Sequence, residues 1–442
     1  MSTPTKDPQR GNVHTGILQV KILLDRDNVA IIPTEYIREC YFIEDIFTCS
    51  MVGRLSFLDN FGMYEFGPFT GNETISIVYG RDQTREVVFT ITRVERIISS
   101  TQTSSYTTPY IILDLADTSY EFFTSYRYSR SYESTLKSTD AVKHIIKYQV
   151  GWSEEKQLSI IPSTSELGET FCTPYWPPKM SIDWLLSYAY NKNDSGYLCY
   201  MNTYNRQTIN VKPLTHLLSK NNIIDKTPYK IETSGTSEDP KSLKNKILEW
   251  WISGIDHTKT KPLRRNKYHG YDTLTKKMYT LDFTYTDGIK YTPILGNYTL
   301  FEDKYDTNNT LYSSLNFDSG QESIIDLRRF AISEFVKQYC MQQLVNIMVI
   351  GNEKKYAGHQ IFIDWNSVDQ ESRTKNKLFD GPYLVKSITH DFITGGPLGY
   401  IQRMVLIKNG FQNPSTQLLK KSTNINITGG VKTSAFEDSS SS

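Results

Sequence analysis

The sequence predicts a mainly β protein with α+β insertions, in which two similar β-rich segments flank a smaller α/β unit. The 442 residues include 30 Tyr and 20 Phe, and aromatic residues favour strands. Short segments with alternating apolar residues crowd both ends of the chain, as in sandwiches and barrels. The order of these segments near the start also recurs near the end. These three observations together predict the fold class.

The repeat rests on the order of elements more than on identities. Both copies begin with Gly-Asn-Glu, at 71–73 and 351–353. A strand, a polar stretch, a second strand, a turn and a third strand then follow in each copy. The strands are TISIVYG, VVFTITRVERI and YIILDLAD in the first copy, and HQIFIDW, PYLVKSITHDF and YIQRMVLIKNG in the second. Two similar β-domains per chain would let three copies present six similar units.

The first β-rich segment follows a polar N-terminal stretch. Leu18, Val20, Ile22 and Leu24 alternate along a mostly one-faced strand. Several short strands follow at close spacing, which predicts a sandwich or barrel between about 16 and 125.

The period then changes to that of helices. Asp140 is the predicted N-cap of a helix that Gly151 ends, and a second helix opens after Pro178 with Ser181 as its cap. GYLCYMN and TINVKPL then form a predicted hairpin. We therefore predict a compact α/β unit over 128–225.

The next part of the chain mixes both periods. Residues 242–254 predict a helix with Trp250 and Trp251 on its apolar face. Alternation over 279–285 predicts a strand, and Asp287-Gly288 a turn after it. A further helix is predicted around 322–340, and strands return from 342 to 408.

These patterns divide the chain into five parts. We predict a polar N-terminal arm at 1–15, a first β-barrel domain at 16–127 and the α/β domain at 128–225. A second β-barrel domain occupies 226–410 with an insertion near 255–325. The Ser- and Thr-rich residues 411–442 form a flexible tail.

Charge and cysteine content limit the classes of function. With 49 basic and 48 acidic residues the net charge is +1, which excludes a global positive field for nucleic acid. The five cysteines lack CxxC spacing, so we expect mostly buried thiols in a reducing compartment. The chain shows no signal peptide and no apolar run of membrane-spanning length. We expect a soluble protein without a membrane anchor, made in the cytoplasm.

The sequence predicts no catalytic, cofactor-binding or metal-binding residue, and no cofactor. It contains no phosphate-binding loop, no HExxH, no GxSxG and no zinc-type Cys/His spacing. His390-Asp391 lacks the further ligands of a metal phosphohydrolase, so a structural or surface role is favoured. Cys172 is predicted to be a buried thiol. Trp250-Trp251 is predicted to lie in a core or an interface and not to bind sugar.

A basic stretch runs from Lys259 to Lys277, with seven Lys or Arg and one Asp. It could contact nucleic acid phosphates or an acidic protein neighbour. A solvated loop is the favoured interpretation.

The C-terminal segment resembles the second tube-like domain of contractile-tail phage baseplate hub proteins, and is similar to the N-terminal half of type VI secretion spike proteins. The shared pattern is a Gly-turn and a strand, then G-x-Y-x-V-x-x-x-x-H-x-F and a final strand ending in Asn-Gly. Gly381, Tyr383, Val385, His390 and Phe392 fill the pattern, and Asn409-Gly410 ends it. We expect Tyr383 and Val385 to lie at buried strand positions. The first barrel and the α/β segment resemble other parts of the hub, so the resemblance covers roughly 16–410.

The resemblance implies two tube-like barrels per chain and a homotrimeric, pseudo-sixfold ring. Such a ring would join a hexameric tail tube to a trimeric central spike, contact baseplate wedge proteins and pass genome DNA without sequence-specific binding. It implies a late structural protein of the virion tail, assembled in the host cytoplasm and used in DNA ejection.

Two alternatives stay open at this point. One is a tail-tip glycan or peptidoglycan hydrolase, since carboxylates are abundant and no pair is singled out. The other is a different tube-like tail component, such as a distal tail or tail terminator protein. An enzyme would need a deep pocket with perturbed acids, whereas a hub would need extensive ring interfaces.

Overall fold

The computed structural model confirms the mainly β fold. It describes residues 16–25, 28–60, 62–66, 69–71, 73–97, 109–152, 157–165, 167, 171–192, 194–204, 206–219, 227–231, 245–253, 265–272, 276–295, 297–299, 311–314, 324–341, 343–365, 379–393 and 399–411. The predicted arm at 1–15 lies outside these ranges, as do 259–264 and 273–275 of the basic stretch and all of the predicted tail except Phe411.

The first part of the chain forms seven strands and two short helices. The strands are β1 Ile17–Asp25, β2 Asn28–Ile32, β3 Ile37–Asp45, β4 Val52–Leu58, β5 Thr74–Tyr79, β6 Arg85–Ile97 and β7 Tyr110–Asp117. A 3-10 turn, Thr34–Tyr36, leads directly from β2 into β3, and the helices are α1 Met63–Phe66 and α2 Tyr120–Thr124. The strands pair in the order β3-β4-β7-β6-β5-β1-β2.

The middle of the chain combines helices with small sheets. Its elements are β8 Ser131–Tyr132, α3 Ser138–Tyr148, β9 Leu158–Ile160, β10 Phe171–Cys172, α4 Pro178–Ser187, β11 Tyr197–Asn202, β12 Thr208–Pro213 and α5 Leu214–Leu218. The predicted hairpin is confirmed, since β11 and β12 pair antiparallel, and β9 adds in parallel to β12.

The last part of the chain holds a second set of strands with an inserted unit. The strands are β13 Tyr229–Lys230, β14 Ile247–Ser253, β15 Arg265–Asp272, β16 Lys277–Thr284, β17 Tyr298–Thr299, β18 Leu311–Ser314, β19 Gln343–Ile350, β20 Gln360–Asp364, β21 Gly381–Phe392, β22 Tyr400–Lys408 and β23 Gly410–Phe411. The helices are α6 Tyr285–Ile289 and α7 Ile324–Cys340. Strands β15, β16 and β18 form a separate sheet, and with α6 and α7 they lie between β14 and β19 in the chain.

Strands from both ends of the chain join in a single 13-stranded sheet. Its main path is β14-β19-β22-β21-β3-β4-β7-β6-β5-β1-β2, with β20 and β13 branching from β21. The two halves meet where β21 pairs with β3. The sheet is therefore continuous from the second half of the chain into the first.

The second half closes on itself as a six-stranded barrel. From β14 the pairing runs through β19, β22, β21, β20 and β13, and a bridge between Lys230 and Lys246 returns it to the start of β14. Buried side chains from all six strands fill its interior, including Tyr229, Ile363 and Met404. Tyr383 and Val385, predicted to be buried, are both 0% exposed.

The two halves share one topology. In the first half the order β3-β4-β7-β6-β5 corresponds to β14-β19-β22-β21-β20 in the second, and the strands occur in the same sequence along the chain. The repeated order of strand, loop, strand, turn and strand is confirmed, because β5-β6-β7 and β20-β21-β22 are both antiparallel meanders.

The shared topology extends to strand register. Strand β3 has a bulge between Ile37 and Glu39 where it pairs with β4, and β14 has one between Ile247 and Glu249 where it pairs with β19. In each case a single pair precedes the bulge and five pairs follow it. A bulge re-aims a strand and increases its twist, so both halves bend at the same position.

A second pair of bulges also matches. Strand β6 shifts register between Ile91 and Arg93 against β7, and β21 shifts between Val385 and Ser387 against β22. After its bulge, β6 still pairs with β7 but no longer pairs with β5. In the same way, β21 still pairs with β22 but no longer pairs with β20. The two halves are thus two copies of one structural unit.

Sequence-based predictions of local structure were wrong at several positions. Residues 247–253 form β14 and not a helix, because β-branched and aromatic residues there pair with β19, and tertiary pairing overrides a helical period. Ser181 lies buried inside α4, which Pro178 opens at its first position. Asp287-Gly288 lies within α6, because Thr284 and Asp287 form a capping box that starts a helix.

Two further helices match their predictions. Helix α3 covers the predicted segment, with Val142, Ile145 and Ile146 buried, and α7 lies within the predicted 322–340. The prediction of Asp140 as the N-cap of α3 was wrong: Lys137 occupies that position and Asp140 lies in the first turn, where its charge interacts favourably with the helix dipole.

We predict a pH-dependent stability contribution from Lys408 at the end of β22. Its side chain is fully buried over the Tyr383 ring, and burial lowers its pKa from 10.5 to about 7. Between these two pH values the unfolded chain binds a proton that the folded chain does not, so stability rises with pH by up to about 1.4 kcal/mol per unit. Denaturant unfolding at pH 7 and pH 9 should show this rise, and Lys408→Met should remove it. An identical pH dependence in both proteins would contradict the assignment.

Candidate assembly interface

The described residues lack two kinds of feature. Within those ranges no group of three or more His, Cys, Asp or Glu side chains is placed to hold a metal ion. None of the helices in the described ranges combines the length and apolarity needed to cross a bilayer.

One cavity lies where β5 and β6 face the middle unit. Its volume is about 690 Å³, and Tyr79, Arg85 and Arg206 are among its lining residues. The lining carries a single carboxylate, Glu86, which accepts a hydrogen bond from Ser76. Glycoside hydrolysis generally uses two carboxylates across the scissile bond, so this lining does not match that chemistry.

The joint between the halves is a six-pair antiparallel ladder. It runs from Ser387 opposite Asp45 to Phe392 opposite Cys40. Its two ends differ in exposure: Cys40 and Phe392 are buried, while Lys386 forms a 2.6 Å ion pair with Asp45 beside the bulge of β21. The backbone ladder thus fixes the register between the halves.

A buried carboxylate lies at the centre of this joint. Glu44 on β3 is 0% exposed. One of its oxygens accepts hydrogen bonds from the Thr203 backbone N–H at 3.2 Å and hydroxyl at 2.6 Å. The other accepts the Ala357 N–H at 2.8 Å. Glu44 therefore binds the middle unit and the loop before β20 at the same time.

His390 on β21 completes the surroundings of Glu44. Its Nε2 lies 3.2 Å from Glu44 Oε1, within ion-pair distance but without hydrogen-bond direction. Its Nδ1 lies 2.7 Å from the Tyr400 hydroxyl. The imidazole stacks on Phe42 at 4.3 Å between centroids. His390 is therefore part of the buried contacts between β3, β21 and β22.

The network continues into the loop after β19. Gln402 donates to the Tyr400 hydroxyl and the Asn352 carbonyl and accepts the Asn352 N–H, at 3.0–3.1 Å. Burial raises the pKa of Tyr400 well above its usual value, so the phenol stays neutral. Because its members come from β3, β21, β22 and the loop after β19, a buried network of this kind favours one arrangement of these elements.

Glu353 makes a second connection between the halves. Its carboxylate accepts backbone N–H groups from Arg81 and Gln83 in the turn after β5, at 3.3 and 2.8 Å. Glu73, its partner in the Gly-Asn-Glu match, instead binds the backbone of its own turn at Thr70 and Gly71. The two glutamates have different roles, so the three-residue match does not reflect structural equivalence.

Close packing at the joint requires a glycine at 351. A Cβ there would lie 2.2 Å from the Tyr400 ring. The same ring side chain also meets Gly16, whose φ of +73° favours glycine as well. Tyr400 is therefore held between the start of β1 and the end of β19.

The middle unit is bound to both halves by amide side chains. Gln207 donates to the Val88 carbonyl and the Asp117 carboxylate and accepts the Val88 N–H. Asn202 donates to the Ala357 carbonyl at 2.9 Å, and Gln360 donates to two carbonyls at the end of α5. These contacts make the three parts of the chain one connected structure.

The other residues singled out by sequence have mixed outcomes. Cys172 is exposed, so its prediction as a buried thiol was wrong: it ends the two-residue strand β10 at the surface, while the other four thiols are buried as expected. Trp250 and Trp251 are 41% and 50% exposed on β14. The described part of the basic stretch forms β15 and the start of β16.

The fold matches those of solved tail proteins. The chain aligns with the tail protein from Neisseria meningitidis MC58 at a TM-score of 0.54 and 10% identity, covering 88% of this chain and 96% of that one. It aligns with the 43 kDa tail protein of prophage MuSo2 from Shewanella oneidensis at 0.50 and 8% identity, covering 88% and 98%. These two matches show the fold.

A third solved structure is an Escherichia coli component of the type VI secretion system, described as structurally similar to bacteriophage T4 tail proteins. Its TM-score is 0.49 at 9% identity, covering 89% of this chain and 79% of that one. No protein-family model and no curated protein sequence matches the chain.

We predict that Glu44→Ala lowers the free energy of unfolding by about 3–5 kcal/mol, because it leaves two buried N–H groups and a hydroxyl without their acceptor and removes the carboxylate beside His390. Glu39→Ala on the same strand is the matched control. Its side chain is exposed, so we expect a change within about 0.5 kcal/mol. Equal effects of the two substitutions in denaturant unfolding would argue against a central role for Glu44.

Proposed function

We propose that this protein is the structural hub of a contractile-tail baseplate. Three copies form a ring of six similar barrels around a channel. One face of the ring docks the hexameric tail tube, and the other docks the trimeric central spike. Baseplate wedge proteins contact its periphery, and genome DNA passes through the channel during ejection.

The observation that carries this proposal is the duplication of one unit with its register. Both halves share their strand order and two bulges. A subunit that presents the same unit twice can make a threefold assembly look sixfold to a partner. A tube component with sixfold symmetry would need only one such unit per chain, which distinguishes a hub from the alternative tube-like proteins.

The joint between the halves supports the same proposal. It combines a six-pair ladder with a buried network around Glu44 and His390. Such a joint holds the two units at a fixed angle, as a ring of defined size requires. A flexible linker between barrels would leave ring closure undefined.

The fold and the charge are also compatible with a tail component. Two solved structures that share the fold, at TM-scores of 0.54 and 0.50, are tail proteins by name. A net charge of +1 suits a channel through which DNA slides without strong phosphate binding.

Sedimentation of the purified full-length chain over a range of concentrations tests the assembly. We expect a particle of three chains, about 153 kDa from the 51.0 kDa chain mass, because permanent rings bury interfaces on the order of 2,000 Å² or more. A monomer at every concentration would contradict the hub proposal.

Incubation with purified peptidoglycan tests the hydrolase alternative. We expect no release of soluble fragments by the full-length protein, since the lining of the β5–β6 cavity carries one carboxylate and hydrolysis of a glycosidic bond generally needs two. A known lysozyme serves as the positive control. Turnover that Glu86→Gln abolishes would replace the structural proposal with an enzymatic one.

A further inference from the structure

The joint within the chain pairs one strand edge of the first half with one strand edge of the second half. The equivalent edges, one in each half, take no part in this joint. Strand β3 of the first half pairs with the part of β21 that follows its bulge. The counterpart of β3 in the second half is β14, and the counterpart of β21 in the first half is β6. If the joint is repeated, these two strands are the ones that make it.

The outer edge of β14 is free over most of its length within the described ranges. The strand pairs with β19 on one side. On the other side, the described residues form a bridge between Lys230 and Lys246, just before the strand begins. Glu249, Trp250 and Trp251 are exposed in succession. An exposed strand edge with two tryptophans is a template for another strand.

The far half of β6 has a matching free edge. Its first residues, Arg85–Thr90, pair with β5. From Arg93 to Ile97 it pairs with β7 on one side, and no strand in the described parts of the chain lies on the other. Ile97 is 46% exposed. In β21 the corresponding edge is the one that β3 covers.

We propose that Trp251–Ser253 of β14 in one copy pair antiparallel with Glu95–Ile97 of β6 in the next copy, so that the joint within the chain recurs between chains. This inference rests on the proposed ring and names its subunit contact. The occupant of the β14 edge is therefore a second copy of this chain. A contact between two different surfaces of one subunit closes into a ring when the rotation permits.

The joint within the chain also gives the register between copies. The bulge residues at the joint within the chain are Arg38 in β3 and Lys386 in β21. Phe42 and His390 each lie four residues after the bulge residue of their strand, and they are opposite each other. The bulge residues of β14 and β6 are Leu248 and Thr92.

Applied between copies, the same spacing places Ile252 of one copy, four residues after Leu248, opposite Arg96 of the next copy, four residues after Thr92. It also places Trp251 opposite Ile97 and Ser253 opposite Glu95. The Trp251–Ile97 pair brings together two large apolar side chains that are 50% and 46% exposed in the single chain. Directly opposed aromatic and β-branched residues stabilise a sheet, so the register covers apolar surface on both strands.

Disulfide trapping between separate chains tests the register. One chain carries Ile97→Cys and the other Trp251→Cys, both with Cys172→Ser to remove the exposed natural thiol. Directly opposed residues in an antiparallel pair have Cα atoms about 4.5–5.5 Å apart, within disulfide range. Co-assembly and mild oxidation should give a disulfide-linked dimer on a denaturing gel, reversible by reductant.

The matched control replaces Trp251→Cys with Glu249→Cys, an exposed position two residues away on the same strand. Its Cα would lie more than about 7 Å from that of residue 97, too far for a disulfide. We expect at least about tenfold slower linkage for this pair. Equal or faster linkage at 249 would overturn the register.

The outcomes separate this inference from the proposed function. A three-chain particle with linkage at 97–251 supports both. A three-chain particle without that linkage overturns the strand pairing and leaves the hub intact. A monomer overturns both. Hydrogen exchange of the unsubstituted protein is a second measurement, in which backbone amides within 251–253 and 95–97 should gain protection in the assembled particle relative to monomer obtained by dilution. Unchanged exchange there would also overturn the pairing.

Discussion

The arrangement of the whole chain depends on the buried carboxylate of Glu44. A charge without water is stable only where enough donors surround it. The donors come from Thr203 in the middle unit and Ala357 in the second half, and the imidazole of His390 lies beside them. Because these groups are far apart in sequence, the carboxylate is satisfied only when all three parts of the chain have docked. The hydrogen bonds of Glu44 therefore favour the correctly folded chain over arrangements in which one part has not docked.

The duplicated unit explains why the fold needs interactions that favour a single arrangement of its parts. Because the two halves contain the same strand pattern, their strands could pair in several ways, and exposed edge strands readily form incorrect pairs. The joint avoids them because its inward face is specific: Phe42 stacks on His390, and Tyr79 packs edge-on against Phe42 at 5.3 Å. The halves differ most in what lies between matching strands. A short turn connects β3 to β4, while a separate sheet and two helices lie between β14 and β19.

The sequence predicted the parts of this structure that local pattern controls. The meanders, the hairpin at β11–β12 and the buried positions Tyr383 and Val385 all follow from alternation and turn residues. It could not predict the contacts of Glu44, since a single acid among 48 carries no local signal of the residues it will meet. Strand β14 was misassigned because its tryptophans fit a helical period as well as a pleat, and only pairing with β19 decides between them. Shared register was also hidden, because the two halves keep their bulges with different residues.

Electron microscopy of the purified particle, classified without imposed symmetry, tests the central claim most directly. The account predicts end-on views with six similar lobes around a central channel, related by threefold symmetry in finer detail. A particle with three lobes, or one without a channel, would show that the duplicated unit does not build a pseudo-sixfold ring.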